Sequence, residues 1–293
     1  MSFQLSCEST VDMPYREIAA RDISVIPFTY QVDGEEFTDD MGRDPKALPR
    51  FYRFLSEGRF PTTSQINEFR YEEYFESLLQ KGDVLHISFT SGMSASVNNA
   101  IAAAENLCAR YPSHKLLVID SLCASSGYGL LVNAAADLRD KGKSVDEAAQ
   151  WVNENRLRVH HQFFTTDLQY FKRSGRVSGT AATLSSILSI CPIMRVNQYG
   201  RILAYDKVRG KNAAIRETLR AMEAHADGGV NYSGICHVCH SNCPEDAEKT
   251  KEMILARFPK IREVRVYDIG VIIAAHTGSG TVSIYFWGDE RKE

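Results

Sequence analysis

The chemistry-bearing residues of this chain gather in a few short segments rich in hydroxyl groups and glycine. Ser88-Phe-Thr-Ser-Gly-Met-Ser-Ala-Ser96 sets five hydroxyls between an apolar run of β-formers, Asp83 to Phe89, and an Ala-rich helical stretch from about Ala95 to Arg110. In open α/β sheets, ligands bind beyond the carboxyl ends of strands, where helix N-termini offer unpaired N–H groups to an anion. A hydroxyl-rich loop there reads as a receptor for an oxyanion or carboxylate, and equally as a cluster of helix caps. A second such loop, Ser121 to Ser126 with Gly127 and Gly129, follows the next strand run, Lys115 to Ile119, and favours the receptor.

Three further segments could serve the same cleft. Pro61-Thr-Thr-Ser-Gln65 could present N–H and hydroxyl groups, although alone it reads as a cap and turn between helices. His276-Thr-Gly-Ser-Gly280 reads as a loop joining the apolar segment Val271 to Ala275 to a final strand, with glycines that permit close approach. Arg173-Ser-Gly-Arg176 follows Tyr170-Phe171, and Arg176 could clamp an anion with its planar fork or simply end a helix. Hydroxyls, a histidine and an arginine point to an acidic small molecule.

Other chemistries fit less well. Cys236-His-Val-Cys239-His240 has haem-attachment spacing and, with Cys243, superficial zinc ligands. If Tyr232 to Cys239 is a strand, however, Cys236 and Cys239 face opposite sides of it and one metal cannot reach both. Gly92-Met-Ser94-Ala-Ser96 resembles a nucleophile elbow, and Ser94 followed by His276 keeps a serine esterase or acyltransferase as the alternative function. The elbow wants glycine where Ser96 stands, and no aspartate is singled out as a third member. No phosphate-binding glycine motif follows a strand, because Gly127-Tyr-Gly129 lacks the third glycine.

The elements that must position these residues read as two domains. Strand and helix alternate through the first half, the grammar of a parallel sheet with helices packed on it. Tyr71, Tyr74, Phe75, Leu78 and Leu79 form the stripe of an amphipathic helix. Ser144 and Glu147 have capping-box spacing before a helix running to about Arg156. After His160 the order turns irregular. Strands are expected at Phe163 to Thr166, Leu184 to Met194, Arg201 to Val208, Tyr232 to Cys239, Val264 to Tyr267 and Thr281 to Trp287, with helices at Lys211 to Ala224 and Glu245 to Arg257. This predicts an N-terminal α/β domain over 1–160 and a C-terminal α+β domain over 161–293 with a largely antiparallel sheet, the ligand lying in the cleft between them.

Composition narrows the field. The 293 residues include 34 Lys+Arg against 37 Asp+Glu, a net charge of −3, and 44% hydrophobic residues, so the chain is a near-neutral globular protein without the basic excess of a nucleic-acid binder. No apolar run approaches the roughly 18 to 20 residues of a membrane span, and acidic Glu8, Asp12 and Glu17 stand where a signal peptide needs an apolar stretch. Stable membrane insertion is not expected and a cytoplasmic location is. Seven cysteines in a chain of this size argue against a disulfide framework.

Taken in order, the segments resemble the DegV family of bacterial fatty-acid-binding proteins. The resemblance rests on Ser9-Thr10-Val11-Asp12-Met13-Pro14, Ile26-Pro27 with Asp33-Gly34, Thr63-Ser64-Gln65, Ser91-Gly-Met-Ser94-Ala-Ser96, and Val118-Ile-Asp120-Ser121 with Gly127-Tyr-Gly129. It continues through Asp167-Leu-Gln-Tyr170, Gly175-Arg176-Val177-Ser178, Lys207-Val-Arg209-Gly210-Lys211 and His276-Thr-Gly-Ser-Gly280-Thr281, nearly end to end. It implies a carrier that buries the alkyl chain of a long-chain fatty acid and presents the carboxylate to a separate ATP-dependent fatty acid kinase, giving an acyl phosphate for phospholipid synthesis. The carrier is then not itself a catalyst and needs no cofactor. By the same resemblance Thr63, Ser94 and His276 hydrogen-bond the carboxylate, Arg176 supports them electrostatically, and Arg209 belongs to the face that meets the kinase. The sequence departs from the family pattern at Glu8, where an aspartate is usual, and at Ala95, Cys191 and Ser279, positions that bear on loop geometry, kinase pairing and chain-length preference.

Overall fold

The computed structural model describes residues 3–179 and 190–292. Its first sheet is built from β1 (Gln4–Glu8), β2 (Ile23–Ile26), β6 (Val84–Ser88) and β7 (Leu116–Asp120), in the order β2-β1-β6-β7 with every pairing parallel. The chain order reverses between β1 and β6, so the loops leaving their carboxyl ends flank a crevice, the usual place for a ligand in such sheets. Between β2 and β6 lies a small antiparallel sheet, β4-β3-β5, made of β3 (Thr29–Val32), β4 (Glu35–Thr38) and β5 (Thr62–Ser64). Helices α1 (Tyr15–Ala19), α2 (Ala47–Ser56), α3 (Glu68–Leu79), α4 (Ser96–Arg110), α5 (Ser125–Asp140) and α6 (Val145–Asn155) complete this half. The apolar stripe of α3 buries Tyr71, Phe75, Leu78 and Leu79, and Ser144 caps α6 in a reciprocal box with Glu147.

The third sheet has seven strands: β8 (Val159–Thr165), β9 (Val177–Gly179), β10 (Ile190–Val196), β11 (Ile202–Arg209), β12 (Ile235–His240), β13 (Glu263–Asp268) and β14 (Thr281–Trp287). Their order is β13-β12-β14-β8-β10-β11-β9, antiparallel at the four inner pairings and parallel at the two outer ones. Helices α7 (Gln169–Ser174), α8 (Lys211–His225), α9 (Pro244–Arg257) and α10 (Val271–Thr277) accompany it. The α/β fold with one parallel and one largely antiparallel sheet is the one expected. The expected division at residue 160 falls at the start of β8, and residues 184–189 of one expected strand lie outside the described residues.

Helix α5 lies where the sheets meet and touches β1, β8, β12 and β14. Its first eight residues, Ser125 to Val132, are all buried. Gly127 is required there, since a Cβ would stand 2.5 Å from His161 Nε2 and 2.7 Å from the Tyr285 ring. The largest core cluster is continuous across this junction, joining Leu5, Leu85 and Tyr128 to Ile269, Ile272 and Tyr285.

Three expectations need correction. The Pro61 to Gln65 segment is not a turn: Thr62–Ser64 forms β5, held by β3. The second hydroxyl loop is shorter than expected, because helix begins at Ser125 and takes in Gly127 and Gly129. His276 does not stand in a loop; it lies in the last turn of α10, which stops at Gly278 in a positive-φ conformation.

Candidate functional site

A cavity of about 410 Å³ opens at the carboxyl ends of β1 and β6 and reaches under the third sheet. Phe28, Phe89, Phe163, Phe171, Ile202 and Ile272 supply apolar wall, while Thr63, Ser94, Ser125, His161, Arg176 and His276 contribute polar groups. An apolar chamber with a few polar groups suits an amphiphile, since burying apolar surface is favourable and a buried charge needs hydrogen-bond donors.

Thr63 reaches the cavity through the two-residue period of β5, which leaves Thr62 and Ser64 exposed and turns Thr63 inward. Its Oγ1 lies 2.8 Å from Nε2 of His276. Burial, with the Arg176 cation as a second influence, lowers His276 to about 4, so the ring is neutral at pH 7. Arg176 follows the helix-ending Gly175, is exposed, and donates from Nη1 to the Ser174 carbonyl.

Ser94 sits in the loop between β6 and α4, where its Oγ accepts from the Ser96 N–H at 3.2 Å and donates to Ser96 Oγ at 3.1 Å. Ser96 Oγ in turn accepts from Ile66 N–H at 3.3 Å, which ties the loop to the chain leaving β5. On its other side the loop is pinned by Thr90, whose hydroxyl accepts from Gly92 N–H and donates to the Gly200 carbonyl. Gly92 permits this approach, because a Cβ there would collide with the Gly200 carbonyl oxygen.

The departure at Glu8 lies beneath this loop. Glu8 is fully buried, with Oε1 accepting from Ser88, Tyr71 and His86 at 2.6, 2.9 and 3.1 Å, and Oε2 from Tyr128 and the Phe89 N–H at 2.6 and 2.9 Å. Burial alone would raise its pKa; the His86 imidazole and the Ser88 and Tyr128 hydroxyls outweigh that and hold it below the usual carboxylate range. The carboxylate therefore organises the end of β6 where the loop begins.

Thr63, Ser94, His276 and Arg176 thus line one cavity, while Arg209 ends β11 as an exposed residue outside it. A nucleophile–base pair would need Ser94 against His276, but among the described residues the hydrogen bond of His276 goes to Thr63 and that of Ser94 to Ser96. Cys236 and Cys239 belong to different core clusters on opposite faces of β12, as their spacing implies. His161 is a cavity residue that the sequence did not disclose. It is buried, lowered well below the ordinary histidine value by that burial, and accepts from Ala124 N–H at 3.1 Å. Its neighbour His160 points to the other face of the same strand, and only the sheet's packing decides which of the two meets the cavity.

The geometry has counterparts among known proteins. A DegV domain-containing protein of Clostridium perfringens is 34% identical over 99% of both chains, and one of Lactococcus lactis is 30% identical over the full length of both. Among solved structures, a DegV family protein of Thermus thermophilus, described as binding fatty acid, superposes with a TM-score of 0.87 at 25% identity, covering 99% of this chain and all of that one. DegV of Bacillus subtilis, described as a fatty acid binding protein, shares the fold at 24% identity with a TM-score of 0.84, over 99% of this chain and all of that one. The model of the DegV family, described as one of uncharacterised proteins, matches residues 2–289, and the chain belongs to that family.

Proposed function

We propose that this protein binds a long-chain fatty acid in the cavity, with the alkyl chain along the Phe- and Ile-lined wall and the carboxylate at Thr63, Ser94 and His276. The observation that carries this reading is the Thr63–His276 pair at 2.8 Å on the wall of a cavity that Phe28, Phe89, Phe163, Phe171, Ile202 and Ile272 also line. Burying a methylene is worth about 0.8 kcal/mol, so a chain of about 14 methylenes has a ceiling near ~11 kcal/mol before ordering costs. That is enough to retain a lipid without a covalent bond. Neutral hydroxyl and imidazole groups can satisfy a carboxylate without a permanently paired counter-charge, and Arg176 adds positive potential from the rim. The carboxylate oxygen then stays available to a phosphoryl donor.

In this reading the protein is a carrier that offers the carboxylate to a separate ATP-dependent fatty acid kinase, with Arg209 on the face that meets the kinase. The acyl phosphate so formed would feed phospholipid synthesis. Native mass spectrometry of the purified protein tests the carrier: the expected result is added mass of a fatty acid that leaves on denaturation. A covalent acyl adduct on Ser94, or acyl phosphate formed from ATP by this chain alone, overturns it.

A further inference from the structure

Away from the cavity, β8, the end of α8 and the segment after β14 bring together two histidines and an aspartate. His160 Nε2 lies 2.9 Å from Asp289 Oδ1, and His225 Nδ1 lies 3.2 Å from the same oxygen. All three ligating atoms fall within 4.8 Å of one another, and no other such group of three occurs among the described residues. Main-chain bonds fix the cluster: Asp289 N–H donates to His225 O at 3.1 Å, and His160 Nε2 lies 2.9 Å from Asp289 O. Gly288 lets the strand end close on the helix, since a Cβ there would collide with the His225 carbonyl oxygen.

The His160 side chain is 5% exposed and stacks on Phe286, whereas those of His225 and Asp289 are 36% and 55% exposed. The cluster therefore has one anchored ligand and an open side. We propose that His160 Nε2, His225 Nδ1 and the Asp289 carboxylate form a binding site for a divalent transition-metal ion of the zinc type, with solvent completing the coordination.

The spacing suits this ion. Two ligands about 2.0 to 2.1 Å from zinc at tetrahedral angles lie roughly 3.3 Å apart, close to the two separations seen. The donor set suits it too, since two imidazoles beside a single carboxylate favour zinc, nickel or copper over magnesium or calcium. His160 Nε2 faces two acceptors, the Asp289 carboxylate and carbonyl oxygens, so it carries the ring proton in the metal-free protein and ligates the ion in the other tautomer, with that proton on Nδ1. The two imidazoles are stacked at 4.9 Å and 17°, so binding turns one ring out of the stack. That ring is His225, the exposed one at the helix end. A bound ion clips the segment after β14 to α8 and β8, and it stabilises the fold by mass action.

None of the three residues lines the fatty-acid cavity, so the test stands apart from the lipid reading. Zinc is titrated calorimetrically into the chelator-stripped full-length protein, alongside His225→Ala and Asp289→Asn. The expected result is one ion per chain with a raised Tm, binding at least about tenfold weaker in each variant, and no response to magnesium. The cobalt-loaded protein is expected to show a visible spectrum without a thiolate charge-transfer band. Absence of zinc binding, unaltered affinity in both variants, or a thiolate band pointing to the cysteines overturns the site.

Discussion

The Thr63 hydroxyl and the His276 imidazole meet at 2.8 Å although 213 residues separate them in the chain. One stands on the edge strand of a three-stranded sheet and the other in the last turn of a seven-residue helix, so the pair exists only when β5 and α10 pack together. Thr63→Val keeps the volume and removes the hydroxyl. A hydrogen bond to a charged group contributes roughly 1.5 to 3 kcal/mol, so fatty-acid affinity should fall by about ten- to a hundredfold. Equilibrium displacement of a fluorescent fatty acid measures this, and unchanged affinity removes Thr63 from the site.

Ser94→Ala should weaken lipid retention in the same direction with little effect on folding. Among the described residues its Oγ bonds only to Ser96, in a loop already held by Thr90 and Gly200, so the loss of stability should stay near 1 kcal/mol, on the order of one hydrogen bond. Denaturant unfolding and lipid extraction of the Thr63→Val/Ser94→Ala double variant separate the two effects. Full lipid occupancy in that variant would show that neither hydroxyl holds the carboxylate.

Acid should loosen the lipid-free protein well before its carboxylates titrate as a group. His160, His237 and His276 are each lowered to about 4, chiefly by burial, from an ordinary 6.5. As pH falls below 6.5 the unfolded chain takes up protons that the folded state refuses until about 4, and stability declines across that window. Each ring accounts for up to about 3 kcal/mol. His276→Gln should therefore flatten the loss between about pH 7 and about pH 5 in urea unfolding, and an unaltered slope would show that the ring is not buried neutral.

The parts of this fold that depend on local pattern were legible in the sequence. Strands β6 and β7 are short apolar runs, α3 carries a helical stripe, and the Ser144–Glu147 box marks the head of α6. The parity of Cys236 and Cys239 likewise decides that they cannot share a metal. What depends on partners was not legible. Three residues, Thr62 to Ser64, are too few to show a strand period, and only pairing with β3 makes them one. Val271 to Ala275 is apolar throughout, a pattern that strand and helix share. The β3–β4 hairpin did carry a signal, Asp33-Gly34, which adopts positive φ at both positions. The candidate site residues Thr63, Ser94, His276 and Arg176 come from the resemblance to the DegV family and line one cavity, but the contact of His276 with Thr63 rather than Ser94 required the tertiary structure.

Asp39 should respond to pH in the opposite sense. It is buried, its Oδ2 and Oδ1 of neighbouring Asp12 have no hydrogen-bond partner among the described residues, and burial raises it from 3.8 to about 6. The folded state keeps this proton between about pH 4 and about pH 6, where the unfolded chain has released it. The favourable contribution is thus complete below about 4 and lost as pH rises through about 6. Asp39→Asn should stabilise the protein at about pH 8 by on the order of 2 to 3 kcal/mol and have little effect near the acid end of that window. Equal effects at both values would contradict the raised pKa.

Glu8→Gln should be the most damaging of these substitutions. The carboxylate accepts from five donors, three side-chain hydroxyls and a backbone N–H among them at 2.6 to 2.9 Å, so an amide in its place sets an NH₂ group against donors at one of its two ends. It also leaves the buried His86 without its anionic partner. Each buried donor left without its acceptor costs about 1 to 3 kcal/mol, so losing several at once removes a large part of a domain's stability. Because Glu8 holds Phe89 at the root of the Ser94 loop, lipid affinity should fall together with Tm. Glu8→Asp keeps the charge on a shorter side chain and should recover part of both. If Glu8→Gln unfolds at the wild-type denaturant concentration, the carboxylate is not the centre that the five donors make it.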